Sequence, residues 1–463
     1  MAASDGFAGQ RVVVLGLARQ GTALAHYLVR HGAEVVVSDL RPADHLQEAL
    51  DQLAGIPVET VLGGHPSSLL DGADLLCLSA GVSTGAPIVK EAQARGIPLS
   101  NDSQIFLMAC PATVIGITGS AGKTTTTALV GEMCRMGGRR TWVGGNIGRS
   151  MLVDLEGIRP EDVVVMELSS FQLEIMTRSV AVGAILNLTP NHLDRHKTME
   201  AYTAAKARLL HYQSADDLAL LGRDDRGAWA LRSQVRGRLR AFSLEERVAD
   251  GAFLGEGMIM VSRADGEQPV CPASELRLLG RHNVLNALAA TALADAVGVP
   301  VEAMAEASRT FAGVEHRLEL VRERSGIRWY DDSIATAPER MMAALRSFVE
   351  PLVLLAGGRD KDLPWEEAAC LVGERVRDIV LFGEAAALIR SHLDRCRQRV
   401  ASSEEWRLER VVQVDNLEQA VEAAAGLARP GDVVLMSPGG TSFDAYRDFN
   451  ERGDHFQELV RRL

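Results

Sequence analysis

The sequence predicts an α/β fold built as three domains in series. Three observations predict it. Short β-branched apolar runs alternate with helix-length segments along the 463 residues. Two of those runs end in small-residue turns that open a helix. The alternation restarts twice, which divides the chain into 1–101, 102–313 and 314–463.

The first block opens with "RVVVLG", a strand ending at Gly16, followed by a helical stretch, "RQGTALAHYLVRHG", closed by Gly32. "AEVVVSD" then ends at Asp39, which completes a β-α-β unit with a parallel strand pair. A further buried strand is expected at "ADLLCLSAG". In the second block "PATVIGITG" reads as a strand and "KTTTTALVGEMCRMGG" as the helix that follows it. Further strands are expected at "EDVVVMELS" and "VAVGAILNL". "MEAYTAAKARLL" is helical, and "HNVLNALAATALADAVG" is expected as an amphipathic helix with a glycine suited to its C-terminal end. The third block predicts strands at "IRWYDD", "PLVLLAGG", "RDIVLFGE", "RVVQVDN" and "GDVVLMSPGG". Helices fill its gaps, one of them with Pro338 in its first turn.

Composition narrows the function. The net charge is −12, from 49 basic and 61 acidic residues, which excludes a general nucleic-acid binder. No run of about 18 apolar residues exists, so no membrane insertion is expected. "MAASDGFAGQ" lacks the basic start and apolar middle of a secretory signal. The expectation is a cytoplasmic monomer. The six cysteines show no metal-binding spacing and are expected as free, buried thiols in a reducing compartment.

Two turns carry phosphate chemistry. "GLARQG" (16–21) is a small-residue dinucleotide-type turn, and Asp39 ends the next strand near the usual distance for a ribose contact. "GITGSAGKTTTT" (116–127) follows a strand and opens a helix, as a phosphate loop must. Its spacing is unusual, because Ile117 stands where the common loop has glycine. Gly119 and Gly122 can turn backbone amides toward phosphates, Lys123 supplies a charge, and the Thr124 hydroxyl suits Mg²⁺. Glu167 ends an apolar strand, where a carboxylate is poorly solvated unless it faces a cation. "ILNLTPNHLDRH" presents His192, Asp194, Arg195 and His196 just past another strand.

Taken together these motifs resemble the Mur ligase family, the ATP-dependent amide-forming ligases of peptidoglycan precursor synthesis. The family's loop, T-G-x-x-G-K-[ST], fits "TGSAGKT" and accounts for Ile117. "GGNIG", "ELSSFQLE", "NHLDRH", "AYTAAK", "HNVLNALAA", "EHRLE", "DDSIAT" and "SPGGTSFD" follow in the family's order. "VLGLARQGTALA" is most similar to the glutamate-adding members.

The resemblance implies a Rossmann-like N-terminal domain, a central P-loop ATPase-type domain and a C-terminal Rossmann-like domain. It implies that Leu17, Ala18, Asp39, Arg41, Ser79 and Gly81 hold the uridine diphosphate of UDP-N-acetylmuramoyl-L-alanine. Asn146 and Gln172 would touch the sugar-peptide part. ATP would be bound by Gly119, Ser120, Ala121, Gly122, Lys123, Thr124 and Thr125, with Asn283 and Asn286 near adenine and Arg317 and Asp332 from the third domain. Two Mg²⁺ ions are implied, one on Thr124 and Glu167, the other on His192 and a carbamoylated Lys206. Lys123, His192 and Lys206 are thus the implied catalytic set. His316, Thr336, Lys361, Ser442 and Phe449 would line the pocket for glutamate. The expected activity is ADP-forming addition of D-glutamate through an acyl phosphate.

Ile334 departs from the lysine that many D-glutamate ligases carry in "DDSIAT", and this leaves an L-glutamate-adding variant as the alternative. A folylpolyglutamate synthase would lack the nucleotide domain of residues 1–101. An NAD-dependent dehydrogenase would leave "TGSAGKT" without a role.

Overall fold

The first sheet grows from four valine- and leucine-rich runs in a computed structural model of the chain. The structure describes residues 6–79, 81–147, 150–190, 193–278, 280–360, 363–399 and 406–463. The chain divides into two compact units, Met1–Phe311 and Ala312–Leu463.

The first unit opens with β1 (Arg11–Leu15), α1 (Arg19–Arg30), β2 (Glu34–Asp39), α2 (Gln47–Gln52), β3 (Val58–Leu62), β4 (Leu75–Leu78), α3 (Pro87–Ala94) and β5 (Leu99–Ser100). The strands are all parallel in the order β3-β2-β1-β4-β5. This is the Rossmann-like order, with the strand reversal beside β1. Val12–Leu15 are fully buried, as befits a central strand covered on both faces. Asn101 then caps α4 (Asp102–Ala109) by accepting the Gln104 amide.

The second sheet collects β6 (Thr113–Thr118), α5 (Lys123–Met136), β7 (Thr141–Gly145), β8 (Val163–Glu167), α6 (Ser170–Leu173), β9 (Val182–Ile185), α7 (Leu193–His196), α8 (Met199–His211), β10 (Leu218–Gly222), α9 (Arg226–Ala230) and β11 (Arg238–Ser243). β12 (Gly251–Gly255), β13 (Met258–Arg263) and β14 (Gly266–Pro272) extend it, before α10 (Arg281–Ala296) and α11 (Val301–Thr310). The order is β14-β13-β12-β11-β10-β9-β6-β8-β7, with antiparallel pairing only at the β12-β13-β14 edge. The two sheets of this unit share one apolar cluster, which runs from Val12 and Leu24 to Val164 and Leu210.

α10 corrects one expectation. Every residue from Ala287 to Leu293 is buried, so this helix is covered all round through its middle rather than amphipathic. Alanines let neighbouring elements approach on every side, and α10 packs on α5, β11 and β12. Gly298, just past its end, takes φ +78 as the expected C-terminal glycine.

The second unit comprises β15 (Glu319–Arg324), β16 (Ile327–Asp331), α12 (Pro338–Leu345), β17 (Leu352–Gly357), α13 (Glu366–Arg375), β18 (Val376–Phe382), α14 (Ala386–Arg399), β19 (Arg410–Gln413), α15 (Leu417–Leu427), β20 (Val433–Gly439) and α16 (Phe449–Arg462). Its order is β15-β16-β20-β17-β18-β19, parallel except for the β15 edge. Leu352, Leu354 and Ala356 pack into one layer, Val353 and Leu355 into the other. That alternation places helices on both faces of the sheet.

Cys77, Cys134 and Cys271 are free and buried as expected, Cys110 is free but only partly buried, and the expectation of free thiols is corrected for the remaining two. Cys370 on α13 and Cys396 on α14 form a disulfide, with their Cα atoms 5.5 Å apart. Their 26-residue separation gave no signal, because only the packing of two helices brings them together.

Candidate functional site

The phosphate loop joins β6 to α5. Gly122 adopts φ +84, and a Cβ there would lie 2.3 Å from Asn286 Oδ1 on α10. Only glycine meets both demands without strain. At Gly119 a Cβ would lie 3.0 Å from Leu186 Cβ. Asn187 fixes the loop from β9's end: its Oδ1 accepts the Ala121 amide at 2.8 Å, and its Nδ2 donates to Ala121 O at 3.0 Å. Ser120 Oγ donates to Thr189 O at 2.9 Å and lies 3.0 Å from Tyr202 Oη. The loop is therefore shaped by the protein itself.

Glu167 ends β8 directly beside Ile117 of β6. Its carboxylate is buried and accepts from Thr124 Oγ1 at 2.7 Å and Asn146 Nδ2 at 2.9 Å. A hydroxyl and an anionic carboxylate in contact at a loop's mouth are a hard-oxygen donor set that fits Mg²⁺. Thr125 is half-buried on the first turn of α5. Asn286 Nδ2 donates to Asn283 Oδ1 at 3.2 Å, which brings this pair against Gly122.

Lys206 on α8 is 1% exposed. Its Nζ donates to Thr118 Oγ1 at 3.1 Å and Gly119 O at 3.0 Å, both neutral. Lys123 Nζ donates to the same Gly119 carbonyl at 3.0 Å. Burial, reinforced by the Lys123 charge and opposed by Glu167, holds the Lys206 amine well below the ordinary lysine range. A neutral amine is a nucleophile toward CO₂, whereas an ammonium is not.

In the first sheet, Gly16 takes φ +90, and a Cβ on Gly21 would lie 2.0 Å from Gly16 O. Asp39 Oδ2 accepts the Leu17 amide at 2.7 Å, and its Oδ1 accepts Arg41 N at 2.9 Å and Nε at 3.0 Å. Arg41 Nη2 also donates to Leu17 O at 3.1 Å. Burial pushes the Asp39 carboxyl up, but the bonds from Arg41 and Leu17 outweigh it and bring it down to about 2. Asp39 thus braces the Leu17–Ala18 turn through Arg41. Ser79 Oγ donates to Gly16 O at 2.7 Å, while Gly81 is exposed.

Gln172 is more deeply engaged than its sequence position suggested. Its Oε1 accepts from Ser169 N and Oγ at 2.9 Å, and its Nε2 donates to Ser103 Oγ at 2.8 Å. Asn101 Nδ2 donates to its backbone carbonyl at 2.9 Å. Gln172 ties the turn after Glu167 to the start of α4.

Sequence reasoning missed Asn187 and Tyr202 as site-shaping residues and singled out His196 without giving it a role. His196 is buried, hydrogen-bonds Ser170 Oγ at 2.9 Å and stacks on Phe171 with centroids 5.3 Å apart. Polar residues just past parallel strands were the available signal.

In the second unit, Asp332 follows β16 and is buried. Its Oδ2 accepts from Ser437 Oγ at 2.8 Å and its Oδ1 from Leu318 N at 3.3 Å. Burial pushes its carboxyl up to about 7, against the lowering effects of Ser437 and the neighbouring Arg317 charge. His316 is 3% exposed at φ +58; its Nδ1 hydrogen-bonds Asp331 Oδ2 at 2.7 Å, and its ring packs on Gly453. Ser442 is buried, and Thr336 and Phe449 are half-buried. Ser333 Oγ donates to Phe449 O at 2.7 Å, joining the loop after β16 to α16. His192 and Lys361 lie outside the described residues.

A phosphate loop backed by a buried strand-end carboxylate, in a central parallel sheet, defines a nucleotide-dependent enzyme of the P-loop type. Three family models match in succession: a MurD-like N-terminal domain over 10–101, a Mur ligase middle domain over 117–294 and a Mur ligase glutamate ligase domain over 316–440. The chain belongs to the Mur ligase family.

It is 40% identical over 458 residues to UDP-N-acetylmuramoylalanine–D-glutamate ligase of Pelotomaculum thermopropionicum, covering 99% of this chain and 98% of the relative. It is 41% identical over 457 residues to the ligase of the same name from Symbiobacterium thermophilum, covering 98% of both. Among solved structures, UDP-N-acetylmuramate-alanine ligase MurC of Thermotoga maritima aligns with a TM-score of 0.54 at 19% identity, over 98% of this chain and 99% of that one. MurF of Acinetobacter baumannii gives 0.53 at 18%, over 99% and 93%. These two share the three-domain α/β fold.

Proposed function

We propose that this enzyme joins D-glutamate to UDP-N-acetylmuramoyl-L-alanine in peptidoglycan precursor synthesis, with ATP hydrolysed to ADP and phosphate. The observation that carries the reading is near-full-length identity of 40–41% with two ligases of that name. The geometry around Thr124, Glu167 and Lys206 supports the ATP half of the reaction.

The acceptor's alanyl carboxylate attacks the γ-phosphorus, the β–γ bridge bond breaks, and ADP leaves. The resulting acyl phosphate is attacked at its carbonyl carbon by the glutamate amine, and inorganic phosphate departs as the amide forms. Two anions must approach in the first step. Lys123 and the loop amides of Gly119–Thr125 offset that repulsion. Mg²⁺ on Thr124 and Glu167, when bound, adds charge neutralisation at the phosphates. A second ion is assigned to His192 and Lys206. Carbamoylation of Lys206 converts an amine disfavoured beside a cation into an anionic oxygen donor. Lys123, His192 and Lys206 form the catalytic set.

Asn283 and Asn286 serve the adenine side, and Arg317 and Asp332 are also assigned to ATP. Leu17, Ala18, Asp39, Arg41, Ser79 and Gly81 serve the uridine diphosphate, with Asp39 acting through the turn it braces. Asn146 and Gln172 serve the sugar-peptide part, Gln172 by holding the turn it anchors. His316, Thr336, Lys361, Ser442 and Phe449 serve the amino acid. The domains are assigned as 1–101, 102–313 and 314–463, and the enzyme as a cytoplasmic monomer; no described helix is long and apolar enough to cross a membrane.

The test is incubation of purified enzyme with Mg-ATP, the UDP-linked acceptor and each glutamate enantiomer. D-glutamate should give the amide product with one ADP per bond. Product with L-glutamate alone would shift the assignment to the variant that Ile334 leaves open, and no product with either would sink it.

A further inference from the structure

The loop after β16 folds tightly over the end of β20. The Ile334 carbonyl accepts the Thr336 amide at 2.8 Å and Arg340 Nη1 at 3.2 Å. The next carbonyl, Ala335, accepts the amide of Gly439, the last residue of β20, at 2.8 Å. A Cβ on Gly439 would lie 3.3 Å from Met341 Sδ, so the first turn of α12 rests against that strand end. Ligands of parallel sheets bind outside the carboxyl ends of the strands. The loop that carries Thr336 and the chain that leads to Ser442 therefore meet at the first turn of α12.

Arg340 stands on this turn. It is exposed, and it makes its hydrogen bond to a neutral carbonyl with no ion pair among the described residues. Arg328, Arg346, Arg359 and Arg410 in the same unit each pair with a carboxylate. Anchoring through Nη1 leaves further guanidinium donors for a ligand, and the guanidinium fork matches a carboxylate with two parallel bonds. Among the described residues assigned to the amino acid, Thr336 and Ser442 offer hydroxyls and the His316 ring is bonded to Asp331, so Lys361, assigned there as well, supplies a cation for only one of two carboxylates. A dicarboxylic amino acid needs a cation at its side-chain end as well as partners for its backbone end.

We propose that Arg340 binds the side-chain carboxylate of the incoming amino acid and selects an acidic residue over its neutral amide. The proposal rests on the ligase reading above and names a specificity-determining residue within it.

The test measures KM for glutamate, ATP and the UDP-linked acceptor in the wild-type enzyme, Arg340→Gln and Arg340→Lys. Glutamate is compared with glutamine of the same enantiomer. Loss of a charge-assisted hydrogen bond predicts about a tenfold or larger rise in glutamate KM for Arg340→Gln. The preference for glutamate over glutamine should fall by a similar factor, and both other KM values should stay within twofold. Arg340→Lys should recover part of the preference. A glutamate KM and a glutamate/glutamine ratio both within twofold of wild type in Arg340→Gln would overturn the proposal. So would an equal rise in all three KM values, which would mark a structural role. A wild-type enzyme that forms no amide with any amino acid would overturn the ligase reading first, and this proposal with it.

Discussion

Gly122→Ala is the sharpest perturbation of the phosphate loop. Gly122 holds φ +84, and placing an L-residue in that left-handed region costs about 1–2 kcal/mol. The new Cβ would also lie 2.3 Å from Asn286 Oδ1. That side chain can swing away, but it then gives up its 3.2 Å bond to Asn283. Such a bond contributes about 0.5–1.5 kcal/mol. The sum, about 1.5–3.5 kcal/mol, corresponds to a rise in ATP KM of about 10- to 350-fold if the loop relaxes locally. Initial rates of ADP release against ATP concentration read this directly. KM for the UDP-linked acceptor should stay within twofold, because its assigned turn lies in the first sheet. An ATP KM within twofold of wild type would refute the claim that this backbone geometry serves ATP.

Lys206→Ala should reduce turnover by about a hundredfold or more, in line with loss of a group needed in the transition state; full activity at any CO₂ level would remove the residue from the site. Asp39→Asn should weaken UDP-acceptor binding and lower stability at neutral pH by about 1 kcal/mol, after discounting for exposure of Arg41. Because the folded pKa of Asp39 is lowered to about 2, its contribution is complete above the unfolded value of 3.8 and fades as pH falls through 2. Chemical denaturation of both proteins between pH 7 and pH 2 should therefore show their difference shrinking only at the acid end. Thiol titration in denaturant without reductant should find four reactive cysteines, and six after reduction, since Cys370 and Cys396 are joined; six without reductant would contradict the disulfide.

The parallel strands were legible because they are buried on both faces and read as unbroken apolar runs, as "RVVVL" and "VVVME" do. The β12–β14 edge was not, since Gly266–Pro272 mixes glycine, proline and charge in the manner of a loop. Residues whose role depends on one sequence motif, such as Gly122 and Glu167, were visible in the sequence. Asn187 was not, because its partner, Ala121, is 66 positions away and only the β6–β9 pairing brings them together. Gln172 and Asp39 were singled out, but the sequence could not reveal that their polar atoms are engaged in holding turns. The all-round burial of α10 was also hidden, because alanine patterning does not distinguish one covered face from four.

In the proposed reaction ATP activates the acceptor carboxylate as an acyl phosphate. Carrying ¹⁸O in the alanyl carboxylate of the UDP-linked acceptor through one turnover tests it most directly. Transfer of one ¹⁸O atom into inorganic phosphate for each amide formed is the predicted result. Unlabelled phosphate, or label appearing in AMP, would contradict it.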